Sequence, residues 1–254
     1  MVKRKELVAF LDDLLRPPPG CTDSSNNGLQ VEGRCEVRKV VFGVDACVAL
    51  FEKAAAAGAD FVIVHHGLSW GDNLRRLTGL NAGRIGPLFC RGISLYASHL
   101  PLDAHPDLGH NISICRLLGL RKPRPFCRYS GIEIGWYGTL ARAMTLAEFA
   151  KQAGRTFDCE PRVFSGGPAK VRRIGVVSGA GAGGLTDAKE AGCDTFLTGE
   201  IGHADFHTVR ELGINAVAAG HYKTEIPGLK ALAARLHQRF PGLASEFLDV
   251  PTGM

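Results

Sequence analysis

A pattern that occurs twice limits what this chain can fold into. The stretch KVVFGVDACVALFEKAAAAGADFVIVHH (39–66) can be laid over RRIGVVSGAGAGGLTDAKEAGCDTFLTGE (172–200). Each reads as an apolar strand, a turn, a helix-forming run that stops at a glycine, and a second apolar strand. Gly58-Ala59-Asp60 falls on Gly192-Cys193-Asp194, and His65-His66 falls on Gly199-Glu200. The match continues further on. GISLYASHLPLD (92–103) lies over GINAVAAGHYKTE (213–225) with one residue inserted. Strands that are apolar along their whole length, alternating with helices, suit a parallel sheet covered on both faces. The sequence therefore predicts an α/β fold of two related domains from an internal duplication, with mixed sheets flanked by helices.

Punctuation residues divide the chain further. Leu7, Phe10, Leu11, Leu14 and Leu15 fall on one face of a first helix, which Pro17-Pro18-Pro19-Gly20 ends. RKPRPF (121–126) reads as a proline-containing linker. The expected division is 1–123 for the first domain and 124–219 for the second, with the segment from about 220 to 254 packing back on the first. Residues 127–170 contain a helix, TLAEFAKQAGRTF, and short strands whose order the sequence leaves open.

Composition excludes several function classes. The formal net charge of the 254 residues is +5, and no long basic block occurs, so nucleic-acid binding is not indicated. No apolar run reaches transmembrane length. MVKRKELVAFLDDLL is interrupted by Asp12 and Asp13 and lacks a small-residue cleavage site, so it reads as an amphipathic helix rather than a signal peptide. The eight cysteines form no C-x-x-C, and several sit in apolar runs as small hydrophobes. A cytoplasmic, reducing setting is the expectation.

The candidate chemistry lies at strand ends, which in open α/β sheets is the ligand-binding edge. VIVHHG (62–67) ends a strand in two adjacent histidines, whose side chains should point to opposite faces. That is awkward for one metal ion and easier for two. His99 and Asp103 follow another strand, and His221 and Glu225 a third, each pair four residues apart. Imidazole and carboxylate together suit zinc, iron, manganese, cobalt or nickel. Burying such groups unpaired would be costly, and a cation removes that cost. The predicted ligands are His65, His66, Asp103, His221 and Glu225, with either carboxylate able to bridge cations about 3.5–4 Å apart. His105, His110, His203, His207 and His237 read as ordinary core or surface histidines, although His105 and His110 could flank a substrate.

SGAGAGG (178–184) follows a strand and carries Gly179, Gly181 and Gly184 in G-x-G-x-x-G spacing. No acidic residue ends a following strand at the dinucleotide distance. It reads as a tight strand-to-helix turn or as a holder for an anionic substrate group. No G-K-[ST] and no G-x-S-x-G elbow are present, so neither a Walker ATPase nor a Ser/His/Asp hydrolase is indicated.

DSSNNGLQVEG, GADFVIVHHGLSW, LYASHLPLDAHPDLGHN, TGEIGH and AAGHYKTEIPGLKAL, taken in order, resemble the signatures of the NIF-three-like family. Its members are commonly named GTP cyclohydrolase I type 2 homologues or dinuclear metal centre proteins. The resemblance covers nearly the whole chain, which lacks the long middle domain of some members. It implies two α/β domains with a dimetal site in the cleft between them, and a toroidal homohexamer built as a trimer of dimers. It implies His65, His66, Asp103, His221 and Glu225 as ligands of two divalent metal ions. His99 and Glu200 are expected nearby, in supporting or proton-transfer roles. The implied function is a metal-dependent hydrolase, with metal-activated water acting on a nucleotide or purine-like substrate. The alternative is a non-catalytic metal-binding regulatory or interaction scaffold. Metal content set against oligomer state separates the two.

Overall fold

The computed structural model describes residues 1–254. In chain order the elements begin β1 (Val2–Lys3), α1 (Arg4–Leu14), β2 (Gly28–Val31), β3 (Glu36–Val37), β4 (Lys39–Asp45), α2 (Val48–Ala56), β5 (Phe61–His66), α3 (Leu80–Arg91), β6 (Ser94–Ala97) and α4 (Leu100–Asp103). They continue α5 (His110–Leu117), β7 (Arg121–Tyr129), β8 (Ile132–Thr145), α6 (Leu146–Phe157), β9 (Arg162–Phe164), β10 (Lys170–Val177), α7 (Leu185–Glu190), β11 (Thr195–Thr198), α8 (Asp205–Glu211), β12 (Asn215–Ala218), α9 (His221–Thr224), α10 (Ile226–Arg239) and β13 (Ala244–Phe247). The chain divides into two units, 1–102 with 229–250, and 103–228 with 251–254. No helix is long and apolar enough to cross a membrane.

Unit 1 is built on a five-stranded sheet in the order β13-β4-β5-β6-β2. β13, β4, β5 and β6 are parallel, and β2 closes the edge antiparallel to β6. Val40 to Val44 and Phe61 to Val64 are buried throughout, as the unbroken apolar runs require. α2 lays Leu50, Phe51 and Ala54 on a core that includes Val41, Val62, Leu88 and Leu95. Full burial of one such side chain contributes about 1.5–3 kcal/mol.

Unit 2 carries a six-stranded sheet in the order β7-β8-β10-β11-β12-β9. Only β10, β11 and β12 are mutually parallel; β8 joins β10, β7 joins β8 and β9 joins β12 antiparallel. α6 opens with a capping box, in which Thr145 and Glu148 satisfy each other's backbone N–H groups. It buries Phe149, Ala153 and Phe157 against Ile174, Val176, Leu197 and Val217. RKPRPF is not a linker, contrary to the reading of its prolines. It is the first part of β7, an edge strand, where a missing N–H costs no ladder bond. The pairing shifts register between Arg121 and Arg124, around Pro123. The division of the chain accordingly falls earlier, between Leu102 and Asp103.

Strand registers bear out the duplication. Phe61 lies between Val40 and Ser94, as Thr195 lies between Ile174 and Asn215. Gly58 (φ 72°) and Gly192 (φ 74°) end their helices in the left-handed region that favours glycine. The aspartate two residues on then holds the first strand. Asp60 Oδ2 accepts the Arg38 and Lys39 N–H groups at 2.8 and 3.3 Å. Asp194 Oδ2 accepts those of Arg172 and Arg173, both at 2.8 Å. The recurring G-x-D is thus a structural clamp.

Candidate metal centre

In unit 1, His65, His66 and His99 converge. Their ligating atoms lie within 4.8 Å of one another. Strand alternation does not separate the adjacent pair, although each imidazole leans on a different neighbouring strand. His65 Nδ1 is 2.9 Å from the Ser98 carbonyl, just past β6, and His66 Nδ1 is 2.8 Å from Asp45 Oδ1, at the end of β4. The two rings stay 4.6 Å apart between centroids. His99 Nδ1 meets Asp23 Oδ1 at 2.9 Å, and Asp23 Oδ2 also accepts the Leu100 N–H at 3.0 Å. Asn27 Oδ1 accepts the His99 N–H at 2.7 Å. The DSSNN loop is therefore a cradle for His99. Burial alone would raise the Asp23 carboxyl, but hydrogen bonds from His99, Asn27 and Ser25 prevail and hold it at about 2. With every Nδ1 engaged, Nε2 is the atom each ring offers a cation.

In unit 2, His221 opens α9 between two carboxylates. Its Nε2 is 3.1 Å from Glu225 Oε1, and its Nδ1 hydrogen-bonds Glu200 Oε1. The Glu225 hydrogen bond raises the imidazole; burial opposes this and Glu200 adds to it, leaving His221 at about 9. The SGAGAGG turn serves this group. A Cβ on Gly179 would overlap Glu225 Oε1 and stand 3.2 Å from His221 Nε2, and its φ of 62° also favours glycine. Three of the turn's N–H groups are spent inside the unit. Ser178 donates to Asn111 Oδ1 (2.7 Å), Gly179 to Thr224 Oγ1 (3.0 Å) and Gly181 to Thr198 Oγ1 (3.1 Å). These bonds fit the reading of the stretch as a tight strand-to-helix turn.

Asp103 is buried at the end of α4, where the Ser178 hydroxyl donates to its Oδ1 at 3.1 Å. His110 has a ligating atom within 4.8 Å of one on Asp103 and is fully buried. Its Nδ1 accepts the Gly228 N–H at 3.1 Å. His105 instead caps a local turn, accepting the Asp107 and Leu108 N–H groups, while His203, His207 and His237 are exposed. The registers refine the match of H-x-x-x-D with H-x-x-x-E. Ser94 corresponds to Asn215, so His99 corresponds to Gly220 and Leu100 to His221. The inserted residue carries His221 one place beyond its counterpart, onto the first turn of α9.

A family model described as Duf34/NIF3 (NGG1p interacting factor 3) matches residues 2–252. The chain belongs to the Duf34/NIF3 family. A Deinococcus radiodurans relative, named GTP cyclohydrolase 1 type 2 homolog, is 42% identical over 253 residues, covering 100% of this chain and 95% of its own. A Pyrococcus abyssi protein of the same name is 40% identical over 254 residues, with both chains fully covered. The crystal structure of TTHA1606 from Thermus thermophilus matches with a TM-score of 0.90 at 44% identity, again over both whole chains.

The donors of this Duf34/NIF3 chain fit divalent cations. Imidazoles with hydrogen-bonded Nδ1 atoms stand in unit 1, and an imidazole flanked by carboxylates stands in unit 2. The space Gly179 leaves beside Glu225 and His221 would be lost to any side chain. Sequence reasoning missed Asp23, Asp45, Asn111 and Ser178, and took His110 for an ordinary histidine. Asp45 and Ser178 had a signal, since both stand at the ends of parallel strands, the edge that pointed to the histidines. Asp23 and Asn111 lie within the signature stretches DSSNNGLQVEG and LYASHLPLDAHPDLGHN, but their partners, 76 and 67 residues away, had no local signal.

Proposed function

We propose that this chain is a metal-dependent hydrolase of nucleotide or purine-like substrates, with two divalent cations held by His65, His66, Asp103, His221 and Glu225. One observation carries the reading: in unit 1, the adjacent His65 and His66 imidazoles are fixed through Nδ1, one to a backbone carbonyl and one to a carboxylate. A histidine held that way is oriented to ligate, not merely accommodated in a core. The name shared by the relatives supports the nucleotide substrate class. Such cations would supply Lewis acidity and a more acidic water at neutral pH. The protein's own groups do the rest. Asp45 and the Ser98 carbonyl hold the His66 and His65 rings, and Ser178 aims Asp103. Glu200 accepts a hydrogen bond from His221 Nδ1 and is the group suited to move a proton. His99, fixed by Asp23, is a supporting residue.

The test is metal content together with turnover of GTP and a nucleotide panel. We expect about two ions per chain. We expect turnover at least about 100-fold lower in a His65→Ala/Glu225→Ala variant; an equal rate there would sink the reading. The proposal extends to a homohexamer. Leu77, Leu80 and Phe89 are 54, 67 and 58% exposed, which an assembly would cover. Sedimentation velocity checks it. Chelation that dissociates the assembly, with no turnover at any metal loading, would favour the regulatory scaffold instead. A cytoplasmic setting is part of the same proposal, supported by eight free cysteines.

A further inference from the structure

Unit 2 contains a cavity of about 400 Å³ lined by Gly199, Glu200 and Gly220, so it abuts the Glu200–His221 pair. Small-molecule sites usually measure about 300–1,000 Å³, which puts this one in the range of an aryl phosphate or a nucleoside fragment. Its walls are largely apolar, from Ile201, Ala218, Ala219 and Tyr222. Residues 251–254 run along one side, where the Met254 carbonyl accepts the Tyr222 N–H at 3.3 Å.

Two cations line this cavity. Arg162 lies on β9, in register with Ala218 of the wall strand. Its guanidinium carbon is 5.3 Å from the Phe164 ring centroid. Packing on a ring face holds the guanidinium plane while its edge stays suited to two parallel hydrogen bonds with an oxyanion. Lys223 lies on α9, two residues after His221. Its ammonium is 3.4 Å from Asp158, whose side chain is 99% exposed. The Lys223 side chain is 26% exposed, but a contact to a carboxylate so open to water is worth little, so an incoming oxyanion can recruit Lys223 at small cost. Glu160 and Glu200 also line the cavity, adding acceptors for ligand N–H groups.

We propose that this cavity binds a small organic anion with an apolar body. Its phosphate or carboxylate is held by Arg162 and Lys223, and its body lies against Ile201, Ala218 and Tyr222. Binding there sets the ligand beside Glu200, the acid that orients His221. Its role as the substrate-recognition pocket rests on the hydrolase reading; the binding itself does not.

The experiment is calorimetry and ligand-observed NMR on the full chain, metal-free and metal-loaded. The probes are phenyl phosphate, benzoate, inorganic phosphate and benzyl alcohol. We expect saturable binding of phenyl phosphate or benzoate in both forms, with the tighter of the two identifying the anionic group. Inorganic phosphate should bind at least about 10-fold more weakly, because it fills none of the apolar wall. Benzyl alcohol, lacking the charge, should bind more weakly still. Arg162→Met and Lys223→Met should each weaken the aryl anion by about 10-fold, with melting curves confirming that both variants fold. Unchanged affinity in the double variant, absence of saturation, or binding that appears only with metal and survives the double variant overturns the proposal. Failure here with normal metal content and turnover leaves the hydrolase reading standing. Intact binding without metal content or turnover does the reverse.

Discussion

The two copies of the strand–helix–strand repeat share a clamp and differ in what they place at the strand ends. Asp60 and Asp194 do the same work on the same backbone positions. Two residues beyond the shared register, the first copy has Asp45 and the second Gly179. Asp45 supplies a carboxylate to His66; Gly179 supplies space to Glu225. Each copy ends in a carboxylate–imidazole pair, but displaced. In unit 1 the acid is on the first strand and the imidazole on the second. In unit 2 the acid, Glu200, ends the second strand and the imidazole follows the third. The scaffold has been kept while the chemistry has been rearranged on it, and the edge of an α/β sheet allows that because its loops carry little of the core.

The comparison breaks first if the clamps are unequal. Asp60→Ala and Asp194→Ala should each lose about 2–4 kcal/mol, since each leaves two backbone donors without a charged acceptor. Urea unfolding of the two variants should give similar losses; a near-silent change in either would deny the equivalence. Gly179→Ala comes next. Forced into a left-handed conformation and against Glu225, it should cost about 1–3 kcal/mol and weaken cation binding. Alanine at Asp45, which has no such strain, should leave the melting temperature nearly unchanged. Asp45→Asn sharpens the chemical side. Loss of the carboxylate behind His66 should lower metal affinity by about 10–100-fold, read by competition with a chromophoric chelator. The smallest effect is expected at Tyr96, whose hydroxyl donates to Asp12 at 2.9 Å and whose counterpart in the second copy is Val217. Tyr96→Phe should cost about 1 kcal/mol in chemical denaturation and leave metal content untouched.

The duplicated α/β core was legible because fully buried parallel strands leave unbroken apolar runs, as in FVIV and VVFGV. His65 and His66 were nameable because they end such a run, and Asp103, His221 and Glu225 because each follows a strand within a few residues. Partners brought in by tertiary structure were not legible. Asp23 reaches His99 across 76 residues, and Asn111 reaches Ser178 across 67. Local chemistry also misled in one place. Prolines in RKPRPF suggested a break, yet the sheet edge tolerates them. The spacing in SGAGAGG left a tight turn and an anion holder both open, because Asn111, Thr198 and Thr224, which take three of its N–H groups, come from elsewhere in the chain.

The return of 229–250 to unit 1 bears on how the protein is made. Ala244 to Phe247 pair with Lys39 to Phe42, so β4 waits for a partner synthesised after all of 103–228. The sheet of unit 2 has all its strands before then. During translation, unit 1 therefore stands for a time as an open four-stranded sheet whose β4 edge can pair with another nascent chain. Pairing across so long a loop is also slow. Closure of the histidine-bearing unit thus depends on a strand, β13, that lies after the whole of 103–228 in the chain.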